Sequence, residues 1–211
     1  CGRFPRLVLF HLSALSIEQL VISITSLFWG EKMDIIREKT VCFTGHRPEK
    51  LPSGGAEGAA ETRIIKSLLY NEISAAADEG FDTFITGMQR GIDLWAGEIV
   101  LELAASRGLK LVAALPYRDF GKGFRDGDKW NFGRITDSAE SVVIMSETYT
   151  PACMNLRNRY MVDNSARIIA VVGNERSGTG QTVRYAESCG LDIRRIDLCG
   201  LFPDKDQLTL L

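Results

Sequence analysis

Short apolar runs and amphipathic helical patterns alternate along the chain from residue 40 onward. Residues 40–44 form a β-branched apolar run that predicts a buried strand, and residues 61–77 place Ile65, Leu69 and Ile73 on one face of a helix. The same patterns predict further strands at 81–86, 110–115, 141–145, 167–172 and 192–196, and further helices at 94–106, 129–137, 153–164 and 183–187.

Strands that alternate with helices of this length predict a parallel sheet with helices on both faces. We therefore expect an α/β fold, a Rossmann-like three-layer sandwich with a mostly parallel sheet, whose last strand (192–196) lies at an edge. The chain of 211 residues is long enough for one such domain with its own core, and we expect that domain over residues 33–211.

The first 32 residues do not fit the alternation. Segment 7–29 is apolar, but Glu18 interrupts it, and an acidic residue at the centre of a membrane helix costs roughly 2.5–3.5 kcal/mol. We therefore expect no membrane span. A signal peptide would end in an A-x-A-like cleavage site, and none follows this segment. Because Met33 stands just before the first strand, we interpret residues 1–32 as an extension that is not native to the protein or was assigned to it in error.

The charge balance and the cysteines argue against several classes of protein. A formal net charge of -2 lacks the excess of Lys and Arg on which general nucleic-acid binding depends. The five cysteines are odd in number, widely spaced and without a C-x-x-C pair, which indicates neither a disulfide framework nor a metal site. We therefore expect a reducing, cytoplasmic location.

The turn at residues 177–182 follows a buried strand and precedes a helix. At the start of a helix, backbone N–H groups point outward at the positive end of the dipole, where a phosphate can bind. We therefore expect a nucleotide-type ligand here, with no required cofactor. The binding residues in this turn are predicted to be Ser177, Gly178, Thr179 and Gly180.

Other predicted strands also end in loops with glycines and arginines. In sheets of this kind ligands bind beyond the carboxyl ends of the strands, and Arg suits bidentate phosphate recognition. The further ligand-binding candidates are Gly45, His46, Arg47, Gly87, Arg90, Gly91, Asp93 and Arg157.

Some of these residues have structural alternatives. Gly87 and Gly91 either approach a ligand or serve only a tight turn. Asp93 either contacts a ribose hydroxyl or favours the first helical turn through the dipole. His46 is either an acid or base at physiological pH or a hydrogen-bonding residue of the loop.

Three more side chains are candidates with an equally simple alternative. Asp119 is either a catalytic carboxylate or a helix cap. The rings of Tyr117 and Trp130 either stack on a base or pack against other side chains.

Four short motifs follow one another in a fixed order on these elements. They are Thr44-Gly45-His46-Arg47-Pro48, Gly87-x-x-x-Gly91-x-Asp93, Arg157-Asn158-x-x-Met161-Val162-Asp163 and Ser177-Gly178-Thr179. Over residues 40–196 the set resembles the SLOG superfamily, which groups the DNA-processing protein DprA with the LOG enzymes, and residues 42–51 look most like its YpsA-like branch. The resemblance implies a Rossmann-like protein that binds a nucleotide or nucleotide-derived ligand, as a sensor or effector in nucleotide signalling and phage conflict.

One departure separates this chain from the LOG-type phosphoribohydrolases. Their motif resembles P-G-G-x-G-T-x-x-E, and its Glu takes part in cleaving the N-glycosidic bond. Here Gly178 and Thr179 match the motif, but Thr182 stands where the Glu would be. Because a hydroxyl cannot replace a carboxylate as general base at neutral pH, we expect a binding or sensor protein with no chemistry of its own.

Two alternatives remain open at this point. The first is a nucleotide-processing hydrolase acting on an N-glycosidic or phosphate bond, with Asp119, Asp93 or His46 in place of the missing Glu. The second is single-stranded DNA binding similar to that of DprA, for which the composition provides no basic excess. Besides a small nucleotide-derived ligand, a protein partner and assembly into a homo-oligomer are open.

Overall fold

The structure is a computed structural model that describes residues 34–173 and 176–203. The predicted N-terminal extension, residues 1–32, lies outside the described residues.

Six strands form one sheet in the order β4-β3-β2-β1-β5-β6, and every neighbouring pair is parallel. The predicted Rossmann-like α/β fold is confirmed, and 192–196 is an edge strand as predicted. The strands are β1 (Thr40–Gly45), β2 (Thr83–Thr86), β3 (Lys110–Leu115), β4 (Ser141–Ile144), β5 (Arg167–Val172) and β6 (Asp192–Asp197).

Helices connect the strands, and none of the described helices is long and apolar enough to cross a membrane. Short 3₁₀ turns at Arg37–Lys39, Pro48–Lys50 and Pro52–Gly55 flank the first strand and its loop. The α-helices are α1 (Ala60–Asp78), α2 (Ile92–Arg107), α3 (Asp126–Ser138), α4 (Cys153–Asp163), α5 (Gly178–Ser188) and α6 (Leu198–Leu201).

Helix α5 begins earlier than the sequence pattern indicated. We predicted a turn over residues 177–182, but only Ser177 lies outside the helix, which starts at Gly178. Ser177 is the N-cap, and its Oγ accepts a hydrogen bond from the N–H of Gly180 at 3.2 Å. The glycines of this segment therefore form the first helical turn.

The core lies on both faces of the central strands. Strand β5 is buried along its whole length, and β1 is buried except at Gly45. Helix α2 packs on β1, β2 and β3, and its predicted stripe of Trp95, Ile99 and Leu103 is buried, with each side chain less than 8% exposed. Burial of such large apolar side chains stabilises the fold by roughly 1.5–3 kcal/mol each.

The strand order places a topological switch point between β1 and β5. From β1 the chain adds β2, β3 and β4 on one side and then returns to place β5 on the other side. The connections after β1 and β5 therefore leave in opposite directions, which opens a crevice at the carboxyl ends of these two strands.

Candidate functional site

A cavity of about 370 Å³ occupies the crevice at the carboxyl ends of β1 and β5, and we call it the β1–β5 cavity. Its walls come from the loops after β1 and β2, from α4 and from the first turns of α5. The predicted binding residues that line it are Gly45, His46, Arg47, Asp93, Arg157, Ser177, Gly178 and Thr179.

The first turn of α5 forms one wall of this cavity. No acidic residue lies in that turn, so the positive end of the helix dipole is not neutralised by its own side chains. Gly178 is exposed, and a Cβ added to it would meet no atom within 4 Å. A ligand can therefore approach the backbone N–H groups that begin the helix.

Cations outnumber carboxylates among the described residues that line the cavity. Arg47 and Lys50 are exposed, Arg157 is buried, and Asp93 is the one carboxylate of this set. The lining therefore favours an anionic ligand.

Asp93 and Arg157 form a buried ion pair. The side chains are 8% and 6% exposed, and Oδ2 of Asp93 lies 3.9 Å from Nη1 of Arg157. Burial raises the pKa of Asp93 to about 6, although Arg157 and the N–H of Gln89 favour the charged form. Burial likewise lowers the pKa of the Arg157 guanidinium, which Asp93 opposes.

The glycines after β2 allow this ion pair to form. Arg157 donates a hydrogen bond to the carbonyl oxygen of Gly87, and a Cβ on Gly87 would lie 2.5 Å from Nη1 of Arg157. Gly91 has a φ of +85°, which favours glycine, and its Cβ would lie 2.7 Å from the carbonyl oxygen of His46. Neither glycine lines the cavity, so their observed role is packing and turn formation.

His46 joins the loop after β1 to the loop after β5. Its Nε2 accepts a hydrogen bond from the N–H of Gly173 at 3.0 Å, and its Nδ1 lies 3.4 Å from Oγ1 of Thr179. Thr179 in turn donates to the carbonyl oxygen of Gly45 at 3.1 Å. Burial, followed by the charge of Lys50, lowers the pKa of His46. The geometry therefore favours the loop hydrogen-bonding role over that of an acid or base.

Three of the predicted site residues do not face the β1–β5 cavity. Arg90 pairs with Glu49 and lies 3.8 Å from Asp128, beside a different cavity. Asp119 is exposed and pairs with Lys122 at 2.9 Å. Gly180 is buried and its N–H is bound by the helix cap. None of the three lines the β1–β5 cavity.

The two predicted stacking residues also lie outside the cavity. The ring of Tyr117 packs edge-on against Phe120 and Tyr149, and Trp130 is 65% exposed with the Arg134 guanidinium over its ring. Their observed role is therefore packing and surface contact.

Several lining residues were not predicted as binding residues from the sequence. Lys50 lies in a 3₁₀ turn for which the pattern gave no signal. The helical spacing around Arg157 would have identified others, since residues three or four positions away lie on the same face of α4. The additional lining residues are Phe43, Thr44, Lys50, Gln89, Met154, Asn155, Asn158, Met161, Gln181 and Thr182.

Thr182 lies at the cavity wall but carries no charge. Its Oγ1 donates to the carbonyl oxygen of Gly178 at 3.1 Å and accepts from Nδ2 of Asn158 at 3.0 Å. Both hydrogen bonds hold the hydroxyl in place within the protein. The position at which LOG enzymes carry their Glu therefore has a structural role here.

The described residues contain no group of three or more His, Cys, Asp or Glu side chains that could hold a metal ion. The cysteines Cys42, Cys153, Cys189 and Cys199 are free thiols. Burial raises the pKa of Cys42 to about 12, so its thiol stays protonated.

Two solved structures resemble this fold. DNA processing protein A (DprA) from Streptococcus pneumoniae matches with a TM-score of 0.52 and 18% identity, over 81% of this chain and 56% of that chain, so this chain spans a little over half of the other. DprA from Helicobacter pylori, described for its single-stranded DNA binding mode, matches with a TM-score of 0.49 and 18% identity, over 80% of this chain and 73% of that chain. At this identity the Streptococcus likeness supports the fold alone.

Sequence comparison is more specific. UPF0398 proteins from Bacillus thuringiensis (strain Al Hakam) and Bacillus cereus (strain AH187) are each 24% identical over 144 residues, which cover 67% of this chain and 78% of the relative. The family model described as the YspA SLOG family (YpsA) matches residues 41–197, which run from β1 to the end of β6. The chain therefore belongs to the YpsA family of SLOG proteins.

Proposed function

We propose that the β1–β5 cavity binds a nucleotide or nucleotide-derived ligand through its phosphate, and that the protein acts as a sensor or effector in nucleotide signalling. One observation carries the proposal: the start of α5, whose first turn carries no acidic residue, faces the same cavity as Arg47, Lys50 and Arg157. A helix start beside several cations is a favourable anion site, and its place at the switch point is where ligands bind in folds of this kind.

The phosphate would bind against the backbone at the start of α5. The N–H of Gly180 is already bound to Ser177, which leaves the amides of Gly178 and Thr179 as donors to phosphate oxygens. Arg47 is exposed, so its side chain can close over the phosphate from the loop after β1.

The Asp93–Arg157 ion pair then forms a rigid floor of the site. Because Arg157 is held by Gly87, Asn158 and Asp93, its guanidinium is positioned before a ligand arrives. A preorganised donor costs less entropy on binding than an exposed one.

The proposal is tested by equilibrium dialysis of the full chain against nucleotides, cyclic nucleotides, NAD and ADP-ribose, with mass spectrometry of both compartments. We expect intact retention of at least one phosphate-bearing compound, and weaker retention as salt is raised. Retention of none of them would contradict the proposal.

A second candidate function is hydrolysis of the ligand at its N-glycosidic or phosphate bond. It is favoured by Asp93, a carboxylate that lines the cavity and whose pKa of about 6 suits proton transfer near neutral pH. Asp93 would accept a proton from the attacking water. Free base or inorganic phosphate in the dialysis, absent with Asp93→Asn, would support hydrolysis in place of simple binding.

A further inference from the structure

A smaller cavity of about 240 Å³ adjoins the β1–β5 cavity, between α4 and α5, and we call it the α4–α5 cavity. Asn155, Asn158, Gln181 and Thr182 line both cavities, so the two share a wall. Arg159 and Tyr185 complete the lining of the smaller one. A ligand whose phosphate lies at the start of α5 can therefore extend along this wall.

A stacked pair of planar groups lies in the α4–α5 cavity. The guanidinium of Arg159 lies over the ring of Tyr185, 4.8 Å from its centroid. The hydroxyl of Tyr185 donates to Asp163 at 2.8 Å, which fixes the ring. Planar guanidinium and tyrosine groups are the surfaces on which nucleobases stack. The pair therefore suits a flat heteroaromatic ring.

Two exposed carboxamides, those of Asn155 and Gln181, lie at the junction of the two cavities. Both ends of the Asn158 carboxamide already have a partner within the protein, since its Oδ1 accepts from Arg157 and its Nδ2 donates to Thr182. By contrast, Asn155 and Gln181 are exposed, and within the described part of the chain their side chains form no hydrogen bond. Each presents a donor beside an acceptor, the pattern that pairs with the edge of a nucleobase.

The α4–α5 cavity has fewer charged side chains in its lining than the β1–β5 cavity. Arg159 is the one charged side chain among the described residues that line the α4–α5 cavity, whereas three cations line its neighbour. A ligand with phosphate at one end and a neutral hydrogen-bonding ring at the other matches this division.

We infer that the α4–α5 cavity is the base subsite of the nucleotide site, with Asn155 and Gln181 reading the base edge and the Arg159–Tyr185 pair stacking on its face. The inference rests on the proposed function. It assigns the ligand to the nucleoside 5′-phosphates, with the ribose passing Thr182 between the two cavities.

The test is isothermal titration calorimetry of the full chain with AMP, GMP, CMP, UMP and ribose 5-phosphate, which lacks a base. We expect at least one nucleoside monophosphate to bind ten or more times as tightly as ribose 5-phosphate. Asn155→Leu and Gln181→Met remove the carboxamides without changing charge, and each should lower that ratio at least fivefold. Asn71→Leu, at an exposed position of α1, is the control and should leave the ratio unchanged.

Ribose 5-phosphate binding as tight as every nucleotide would overturn the base subsite while supporting the phosphate site. A ratio that persists in both carboxamide variants would also overturn it. If none of the five compounds binds, the base subsite is wrong, and the wider dialysis panel then decides the proposed function separately.

Discussion

Two cavities of this protein are rich in charged side chains, yet they differ in how those charges are arranged. The second one, which we call the α2–α3 cavity, has a volume of about 690 Å³ against about 370 Å³ for the β1–β5 cavity. Four carboxylates line it, and they are Glu57, Glu98, Asp126 and Asp128. Asp93 is the one carboxylate among the described residues that line the smaller cavity.

Two carboxylates of the α2–α3 cavity are paired with cations that line the same cavity. Lys66 lies 2.7 Å from Glu57, and Arg90 lies 3.8 Å from Asp128. The helix that begins at this cavity, α3, carries Asp126 and Asp128 in its first turn, so its dipole is already met by carboxylates. The ratio of cations to carboxylates and the acidic residues at the helix start therefore distinguish the two cavities. By volume alone, the α2–α3 cavity would be the better candidate.

The strongest test of this comparison is a valine at each helix start. Gly178 in α5 and Gly127 in α3 both lie in a first turn, both are exposed, and a Cβ on either meets no atom within 4 Å. Gly178→Val should weaken nucleotide binding by about hundredfold or more, because the side chain blocks two charge-assisted hydrogen bonds of about 1.5–3 kcal/mol each. Gly127→Val should leave binding unchanged.

Calorimetry with the compound retained in dialysis measures both affinities, and thermal unfolding checks that both variants are folded. Equal loss of affinity in the two variants would mean that the start of α5 is not special. Loss in Gly127→Val alone would transfer the site to the α2–α3 cavity.

The next test compares two carboxylates whose pKa values burial raises. The Asp93 side chain is 8% exposed and that of Asp128 is 32% exposed. Below about pH 4 the Asp93 carboxyl is protonated in the folded and unfolded states alike. As pH rises from about 4 to 6 the unfolded state ionises first, so this group lowers the free energy of unfolding, by at most roughly 3 kcal/mol.

Asp93→Asn should therefore gain stability relative to wild type as pH rises through this window, and Asp128→Asn should gain less because its carboxyl is more exposed to solvent. Urea unfolding of both variants and wild type at pH 4, 5, 6 and 7 measures the differences. A difference between Asp93→Asn and wild type that does not change with pH would contradict the raised pKa.

The sheet was predictable because hydrophobic periodicity is a local property. Predicted and observed starts agree for every strand of the sheet except β2, which begins at Thr83 and was predicted to begin at residue 81. The start of α5 was wrong because glycines in a Ser-Gly-Thr-Gly segment indicate a turn, whereas the cap formed by Ser177 allows them to be helical. The strand order could not be predicted, since it depends on pairings between residues far apart in sequence.

The sequence predicted which loops form the candidate site, but not which side chains of those loops line it. The rule that ligands bind after parallel strands identified the loops, but not which way each side chain turns. Arg90 and Gln89 are adjacent, yet Arg90 turns to Glu49 and Gln89 lines the β1–β5 cavity. The direction of a side chain depends on partners that the fold brings close. Arg90 was therefore predicted to line the site and does not, whereas Gln89 was not predicted and does.

The smallest expected change in affinity comes from substituting Arg47 and Arg90, which were both predicted from the sequence to bind the ligand. Arg47 is exposed at the β1–β5 cavity, whereas Arg90 pairs with Glu49 and Asp128 at the α2–α3 cavity. Arg47→Ala should weaken nucleotide binding about tenfold, or roughly 1.4 kcal/mol, because one charge-assisted contact is lost. Arg90→Ala should change it less than about twofold, since screening reduces the effect of a paired surface cation.

Repeating both titrations at low and high salt measures how far salt screens the contribution of each arginine. An exposed phosphate contact weakens as salt screens it, so the difference between wild type and Arg47→Ala should shrink at high salt. Equal effects of the two substitutions at both salt concentrations would mean that net charge, and not the position of the cation, determines binding. In that case the β1–β5 and α2–α3 cavities would be equivalent for the ligand, and the distinction drawn between them would fail.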